Sequence, residues 1–183
     1  MTKIDIGFGG KKFTLAFYIA NRPPIDHYQT LVHRQALAPG ELEHIVKNCS
    51  NHWRKVFNVM AKFLFELRTD IREDFSSWQN YRDEALLQHD SHEALLFSKP
   101  DFNRPNCIHI ICGKSHAQNL QLPFQPTWID THFAIHDSTI ICPYLDYRQL
   151  SNERIGTLVD LVESVESVES VSRAQLIKEK PLN

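Results

Sequence analysis

The chain has few cysteines, no excess of basic residues and no long apolar run, and each shortage excludes a class of protein. Four cysteines in 183 residues are too few for a disulfide scaffold, and three of them lie in apolar runs typical of buried strands. A formal net charge of -2 excludes a general basic field, so contact with nucleic acid would need a local patch. Because neither an apolar leader nor a run of about 18 apolar residues is present, we expect a cytoplasmic protein without membrane contact.

The remaining composition is that of a folded domain. A content of 42% hydrophobic and 10% aromatic residues is enough to bury a core, and it excludes disorder and fibrous structure. Near the end of the chain the triplet Val-Glu-Ser repeats between Val162 and Ser170, without glycine or proline. We therefore predict one domain over residues 1–162, followed by a low-complexity polar extension over residues 163–183 that lies outside the core.

Four apolar runs predict strands, at residues 13–20, 94–97, 107–112 and 138–142. The first, third and fourth runs are almost continuously apolar, which is typical of parallel strands that are covered on both faces. We expect these three strands to be neighbours in the sheet. The glycine cluster that precedes them, at residues 7–10, is predicted to be a turn or a flexible lead-in.

Helical periodicity fills the spaces between these runs. Apolar residues recur at three- and four-residue steps from Leu42 to Leu67, and the polar cluster at residues 48–52 divides this stretch into two helices. A further helix is predicted at residues 74–88, and a last helix begins at Ser151 or Asn152. One buried helical face is expected to contain Trp53, Phe57, Met60 and Leu64. Strands alternating with helices predict a three-layer α/β fold, with a mostly parallel central sheet flanked by helices.

The candidate site lies in three loops that follow the predicted strands, because ligands of an open parallel sheet bind beyond the carboxyl ends of its strands. These loops span residues 21–28, 113–116 and 143–148. Their side chains that could accept protons, donate hydrogen bonds or stack are Asn21, Arg22, Asp26, His27, Lys114, His116, Tyr144 and Arg148. We expect most of them to converge on one pocket.

The order of these segments resembles that of the uracil-DNA glycosylase superfamily. Residues 17–23 (Phe-Tyr-Ile-Ala-Asn-Arg-Pro) resemble the family's first strand and its loop, in which a water-positioning residue stands beside a proline. Residues 110–118 are similar to a middle strand that ends in a glycine-containing turn. Residues 140–144, followed by Leu150 and Ser151, are similar to the last strand with its His-Pro-Ser-like motif, although Cys142 stands at the position of the family's functional histidine.

The resemblance implies roles for the candidate residues. Asn21 or Asp26 would orient a water molecule and is the candidate catalytic residue. The substrate-binding candidates are Arg22, His27, Lys114, His116, Tyr144 and Arg148, with Tyr144 stacking on a base and the cations meeting phosphates. A histidine can stabilise the charge that develops on a leaving base, and a thiol is a poor substitute for it. We therefore expect a nucleobase- or nucleic-acid-binding protein with weak or lost hydrolase activity.

A protein-interaction module and a metal site are the alternatives to this function. A non-enzymatic protein-interaction module could use the helical faces or the C-terminal extension. A metal site is indicated only by spacing, as in His89-x-x-His92 and His132-x-x-x-His136, and no CxxC pair accompanies it. The sequence contains neither a phosphate-binding loop nor a dinucleotide fingerprint, so we predict no metal and no cofactor.

Overall fold

The computed structural model of the protein describes residues 3–178. The strands are β1 (Gly7–Gly9), β2 (Leu15–Tyr18), β3 (Arg34–Gln35), β4 (Glu93–Leu96), β5 (Ile108–Cys112), β6 (Thr127–Trp128), β7 (Ala134–His136) and β8 (Thr139–Cys142). The α-helices are α1 (Glu41–Asn48), α2 (Asn51–Leu67), α3 (Thr69–Asp74), α4 (Trp78–Glu84), α5 (Lys114–Leu120) and α6 (Asn152–Lys178), and a 3-10 turn occupies Asp26–Thr30. None of the described helices is long and apolar enough to cross a membrane.

All eight described strands belong to one sheet, in the order β3-β1-β4-β2-β5-β8-β7-β6. The four central strands β4, β2, β5 and β8 are parallel neighbours. At one end of the sheet β1 is antiparallel to β4 and parallel to β3, and at the other end β8, β7 and β6 pair in antiparallel fashion. This order confirms the predicted mostly parallel sheet and the adjacency of the three most apolar strands.

Alternation along β2 shows how the sheet is covered. Leu15 and Phe17 point into the larger core, which contains the buried faces of α2 and α6. Ala16 and Tyr18 point into a smaller core on the other face, where α5 supplies Ala117. The protein therefore has three layers of unequal thickness.

The glycine-rich segment near the start of the chain is a strand, so its prediction as a turn or a flexible lead-in is wrong. β1 lies between β3 and β4, and Gly7 and Gly9 have φ values of 151° and 135°. A Cβ at Gly9 would lie 2.5 Å from the Glu93 carbonyl oxygen, so only glycine allows β4 to approach this closely.

Helix boundaries differ from the predictions at two places. The helix predicted at residues 74–88 is shorter, because the Ser77 hydroxyl accepts a hydrogen bond from the Asn80 amide at 3.2 Å and α4 begins at Trp78 and ends at Glu84. Residues 114–116, predicted as a loop, form the first turn of α5. The division of the long helical stretch between α1 and α2 is confirmed.

The Val-Glu-Ser triplets continue α6 without a break across the predicted boundary at residue 163. Each triplet advances a helix by about 300°, so the valines turn back by about 60° at every repeat. Val162 and Val165 are buried, whereas Val168 is 64% exposed. The prediction that the extension lies outside the core is therefore wrong at Val165, and residues 179–183 lie outside the described part of the chain.

The predicted apolar face of α2 is confirmed, because Trp53, Phe57, Met60 and Leu64 are all buried. We expect Trp53→Ala to lower the free energy of unfolding by about 3–5 kcal/mol through cavity formation, measured by circular dichroism in urea. The exposed neighbour Arg54 provides the control, and Arg54→Ala should change it by about 0.5 kcal/mol. A loss under about 1 kcal/mol for Trp53→Ala would contradict this packing role.

A buried histidine in β5 makes stability depend on pH. His109 shares a 2.7 Å hydrogen bond with the Tyr18 hydroxyl, and burial, assisted by the charge of Arg104, lowers the pKa of His109 to about 4. The unfolded chain takes up this proton near pH 6.5, so the native state loses stability as the pH falls from 6.5 toward 4.

Between pH 7 and pH 4 this group should remove about 3 kcal/mol of the free energy of unfolding. Urea unfolding of the wild type and of His109→Gln at both pH values measures the effect. We expect the variant to lose less stability on acidification than the wild type. Equal losses in the two proteins would show that His109 does not titrate as described.

Candidate functional site

The carboxyl ends of β2, β5 and β8 meet at one edge of the sheet. Tyr18 pairs with Ile111 across the first two strands, and Cys112 pairs with Cys142 across the next two. The segments that continue from these strands therefore leave the sheet side by side. We call this region the carboxyl edge.

Tyr144 lies at the centre of a group of polar side chains at the carboxyl edge. Its hydroxyl shares a 2.9 Å hydrogen bond with His52 Nε2, and the two rings stack with their centroids 5.4 Å apart. The Asn21 side chain lies near enough to the Tyr144 hydroxyl to lower its pKa, against the larger effect of burial. A Cβ placed on Gly113 would lie 3.5 Å from Tyr144 Cδ2 and 4.0 Å from His116 Cβ. Asn21, His52, His116 and Tyr144 form what we call the Tyr144 cluster.

Burial keeps this cluster uncharged at neutral pH. Loss of water lowers the pKa of His52 and that of His116, and it raises the pKa of the Tyr144 hydroxyl. His116 Nε2 is shielded from solvent and has no hydrogen-bond partner within the described residues. The cluster therefore presents neutral hydrogen-bonding groups, one of which lacks a partner.

Exposed aromatic rings with cations beside them surround the cluster. The Lys114 ammonium lies 4.7 Å from the centroid of Trp128, and Tyr147 has Lys55 Nζ at 5.1 Å and the Arg148 guanidinium at 5.7 Å. Trp128 is 41% exposed and Tyr147 is 50% exposed. These five residues form what we call the aromatic rim. Such faces can stack on a planar ligand, and the cations can meet its negative charges.

Three predicted site residues stabilise their own loop and make no hydrogen bond to the cluster. The Arg22 guanidinium donates to the Leu31 carbonyl at 2.9 Å. Asp26 pairs with His44 of α1 at 2.8 Å, and His27 bonds to Gln35 at 2.9 Å. Of the eight predicted residues, Asn21, His116 and Tyr144 lie in the Tyr144 cluster, and Lys114 and Arg148 lie in the aromatic rim.

Four residues of the site escaped the sequence analysis, namely His52, Lys55, Trp128 and Tyr147. His52 and Lys55 lie three positions apart near the start of α2, so they share a helix face. A polar pair near the start of a helix that directly follows a predicted loop is the signal that could have identified them. Trp128 is placed at this edge by the antiparallel pairing of β6 with β7, in which it lies opposite Ala134. The apolar runs of the sequence do not indicate this pairing.

Cys142 lies beneath the cluster, in the core. Its thiol donates to the Pro143 carbonyl at 3.2 Å and lies 3.9 Å from Cys112 Sγ. Within residues 3–178, no three histidine, cysteine, aspartate or glutamate side chains come close enough together to hold a metal ion. The groups described at the carboxyl edge are imidazoles, an amide, a phenol, aromatic faces, cations and the Asp146 carboxylate, which pairs with Lys55.

One protein family matches the chain, and it covers most of the domain. The model described as Family of unknown function (DUF6942) matches residues 6–163. No curated protein and no solved structure matches the chain.

Substitution of two glycines tests whether the backbone beside the Tyr144 cluster has the described conformation. Gly113 has a φ of 99°, a conformation that costs a residue with a side chain about 1–3 kcal/mol. Gly156 lies inside α6, where an added Cβ would meet only Glu66 Oε1, at 3.8 Å. We expect Gly113→Ala to destabilise the protein by that amount and Gly156→Ala to stabilise it by about 0.5–1 kcal/mol, measured by urea unfolding. A neutral effect of Gly113→Ala would contradict the described backbone.

Proposed function

The chain belongs to a family of unknown function (DUF6942), and we propose from its own residues that it binds single-stranded nucleic acid at the carboxyl edge, with one base against the Tyr144 cluster. The observation that carries this proposal is the combination in the aromatic rim of exposed aromatic rings and cations. The rim is the local patch that a chain of formal charge -2 requires for such a ligand.

Stacking supplies affinity in this proposal. Every base has a π face, and stacking on an exposed aromatic side chain contributes about 1–3 kcal/mol per base without sequence preference. Trp128 and Tyr147 offer two such faces. Lys114 and Arg148 form no ion pair within the described residues, so they can meet phosphates, whereas Lys55 is already paired with Asp146 at 2.9 Å.

The Tyr144 cluster supplies hydrogen bonds to the edge of a base. The amide of Asn21, which is an exposed residue, both donates and accepts hydrogen bonds. Neutral groups suit a base edge, because a base is itself uncharged near pH 7.

Efficient hydrolysis of a base is not part of the proposal, because the carboxylates described near this edge are engaged in other bonds and a thiol stands at the position of the functional histidine. A catalytic base needs a pKa near the working pH. Burial alone would raise the pKa of Asp146, but the Arg148 amide and the Lys55 ammonium outweigh burial and lower it. Asp26 is engaged with His44, and the Cys142 thiol lies in the core. We therefore propose binding with weak or lost glycosylase activity.

Fluorescence anisotropy with a labelled single-stranded oligonucleotide, at low and high salt, tests the binding. Trp128→Ala should weaken binding about 5- to 150-fold, since stacking is lost. Lys114→Ala should weaken it and also reduce its salt dependence. The matched controls Ile129→Ala and Lys47→Ala, which change exposed residues outside the rim, should bind as the wild type does. Absence of binding at low salt, or equal losses in the controls, would overturn the proposal.

An excision assay separates binding from catalysis. The purified protein is incubated with uracil-containing single- and double-stranded DNA, and alkali-labile abasic sites are counted. We expect retention of the single strand with little or no excision. Rapid excision that Asn21→Ala or Asp26→Ala abolishes would show instead that the protein is an active glycosylase.

A protein-interaction module remains the second candidate, and α6 carries the observation that favours it. Val168 and Val171 are 64% and 59% exposed, three residues apart on the same helix. If the oligonucleotide does not bind and Val168→Glu lowers the molar mass measured by light scattering, this second function is favoured over the first.

A further inference from the structure

A cavity of about 890 Å³ opens at the other edge of the sheet, where β2, β4 and β5 begin. Its walls come from the amino ends of these strands and from α2, α3, α4 and α6. This volume lies within the range of small-molecule sites, about 300–1,000 Å³. We call it the acidic cavity.

Carboxylates dominate the walls of the acidic cavity. They come from α3 (Asp70 and Asp74), from α4 (Glu84) and from α6 (Glu166 and Glu169). Arginines are fewer, and one of them, Arg68, is already held by Glu166 through bonds of 2.6 and 3.1 Å. The cavity therefore repels phosphates and attracts cations.

A buried carboxylate at the start of β4 indicates where a cation would bind. Glu93 lines the cavity and is 4% exposed. The Tyr81 hydroxyl and the Leu87 amide both donate to Oε1, each at 3.0 Å, whereas Oε2 accepts no side-chain or long-range backbone hydrogen bond from another described residue. The small exposed part of Glu93 belongs to a residue that lines the cavity. A buried carboxylate without a cation is costly, and burial accordingly raises the pKa of Glu93.

Apolar side chains beside Glu93 define the rest of the ligand. Phe75 and Tyr81 meet edge to face with their centroids 5.4 Å apart, and Ile71 lies beside them on the wall. Methylene groups pack favourably on such surfaces, whereas a hydrated metal ion gains nothing there. The described carboxylates are also too far apart for three of them to share one metal ion.

We infer that the acidic cavity binds a linear aliphatic polyamine. One ammonium group would pair with Glu93, the methylene chain would lie against Phe75 and Tyr81, and a second ammonium group would meet Glu169. This site is independent of the proposed function, because it occupies the opposite edge of the sheet.

The Val-Glu-Ser triplets acquire a role in this inference. While Val162 and Val165 fix the helix to the core, Glu166 and Glu169 lie three residues apart and line the cavity together. The repeat thus supplies an acidic wall and a buried stripe on the same helix.

Titration calorimetry with spermidine at low salt tests the inference. We expect saturable binding at one site, and Glu93→Gln should weaken it at least about tenfold, because a charge-assisted hydrogen bond is lost. The amide oxygen of the introduced glutamine can still accept both existing hydrogen bonds, so this variant should stay folded, as unfolding in urea will verify. Glu169→Gln should also weaken binding, while Glu163→Gln, an exposed change on the same helix outside the cavity, should not.

Two outcomes would overturn the inference. One is the absence of saturable binding of spermidine up to millimolar concentration. The other is an equal effect of Glu93→Gln and Glu163→Gln, or complete displacement by an equal charge concentration of Mg²⁺, either of which would show diffuse counterion attraction. Binding of spermidine by a protein that binds no oligonucleotide would leave this site established and the proposed function refuted.

Discussion

Burial of both faces of β4, β2, β5 and β8 governs where this protein can place polar chemistry. A side chain inside such a sheet must be apolar or must find a partner, as Tyr18 and His109 do. Charged groups are therefore found beyond the two ends of the strands. The helices α2 and α6 pack against the same sheet, and α2 contributes residues to both ends, so the same core fixes both candidate sites.

The two ends differ in charge, and this division is concealed by a nearly neutral composition. Cations and aromatic faces lie around the Tyr144 cluster, whereas carboxylates line the recess where the strands begin. A formal charge of -2 describes neither end. Net charge excludes only a uniform field, and a folded chain can sort opposite charges to opposite edges of one sheet.

Elements with a local apolar pattern could be predicted from the sequence, whereas elements whose conformation or position depends on distant segments could not. The inner strands and the buried face of α2 carry continuous or periodic apolar residues. β1 does not, because Gly7 and Gly9 are selected by the close approach of β4. Asn21 and Tyr144 follow strands and could be predicted, whereas His52 comes from a helix. The acidic cavity could not be anticipated, because its walls come from segments far apart in the chain and lie at the ends where strands begin.

The triplets of α6 also determine how this helix responds to insertions and deletions. Gain or loss of one Val-Glu-Ser unit shifts the following helix by about 4.5 Å and turns it by about 60°, whereas one inserted residue turns it by about 100°. Whole-unit changes preserve the alternation of valine, glutamate and serine. Gain or loss of whole units thus lengthens or shortens the helical wall in steps of three residues, without altering the packed turns that precede it.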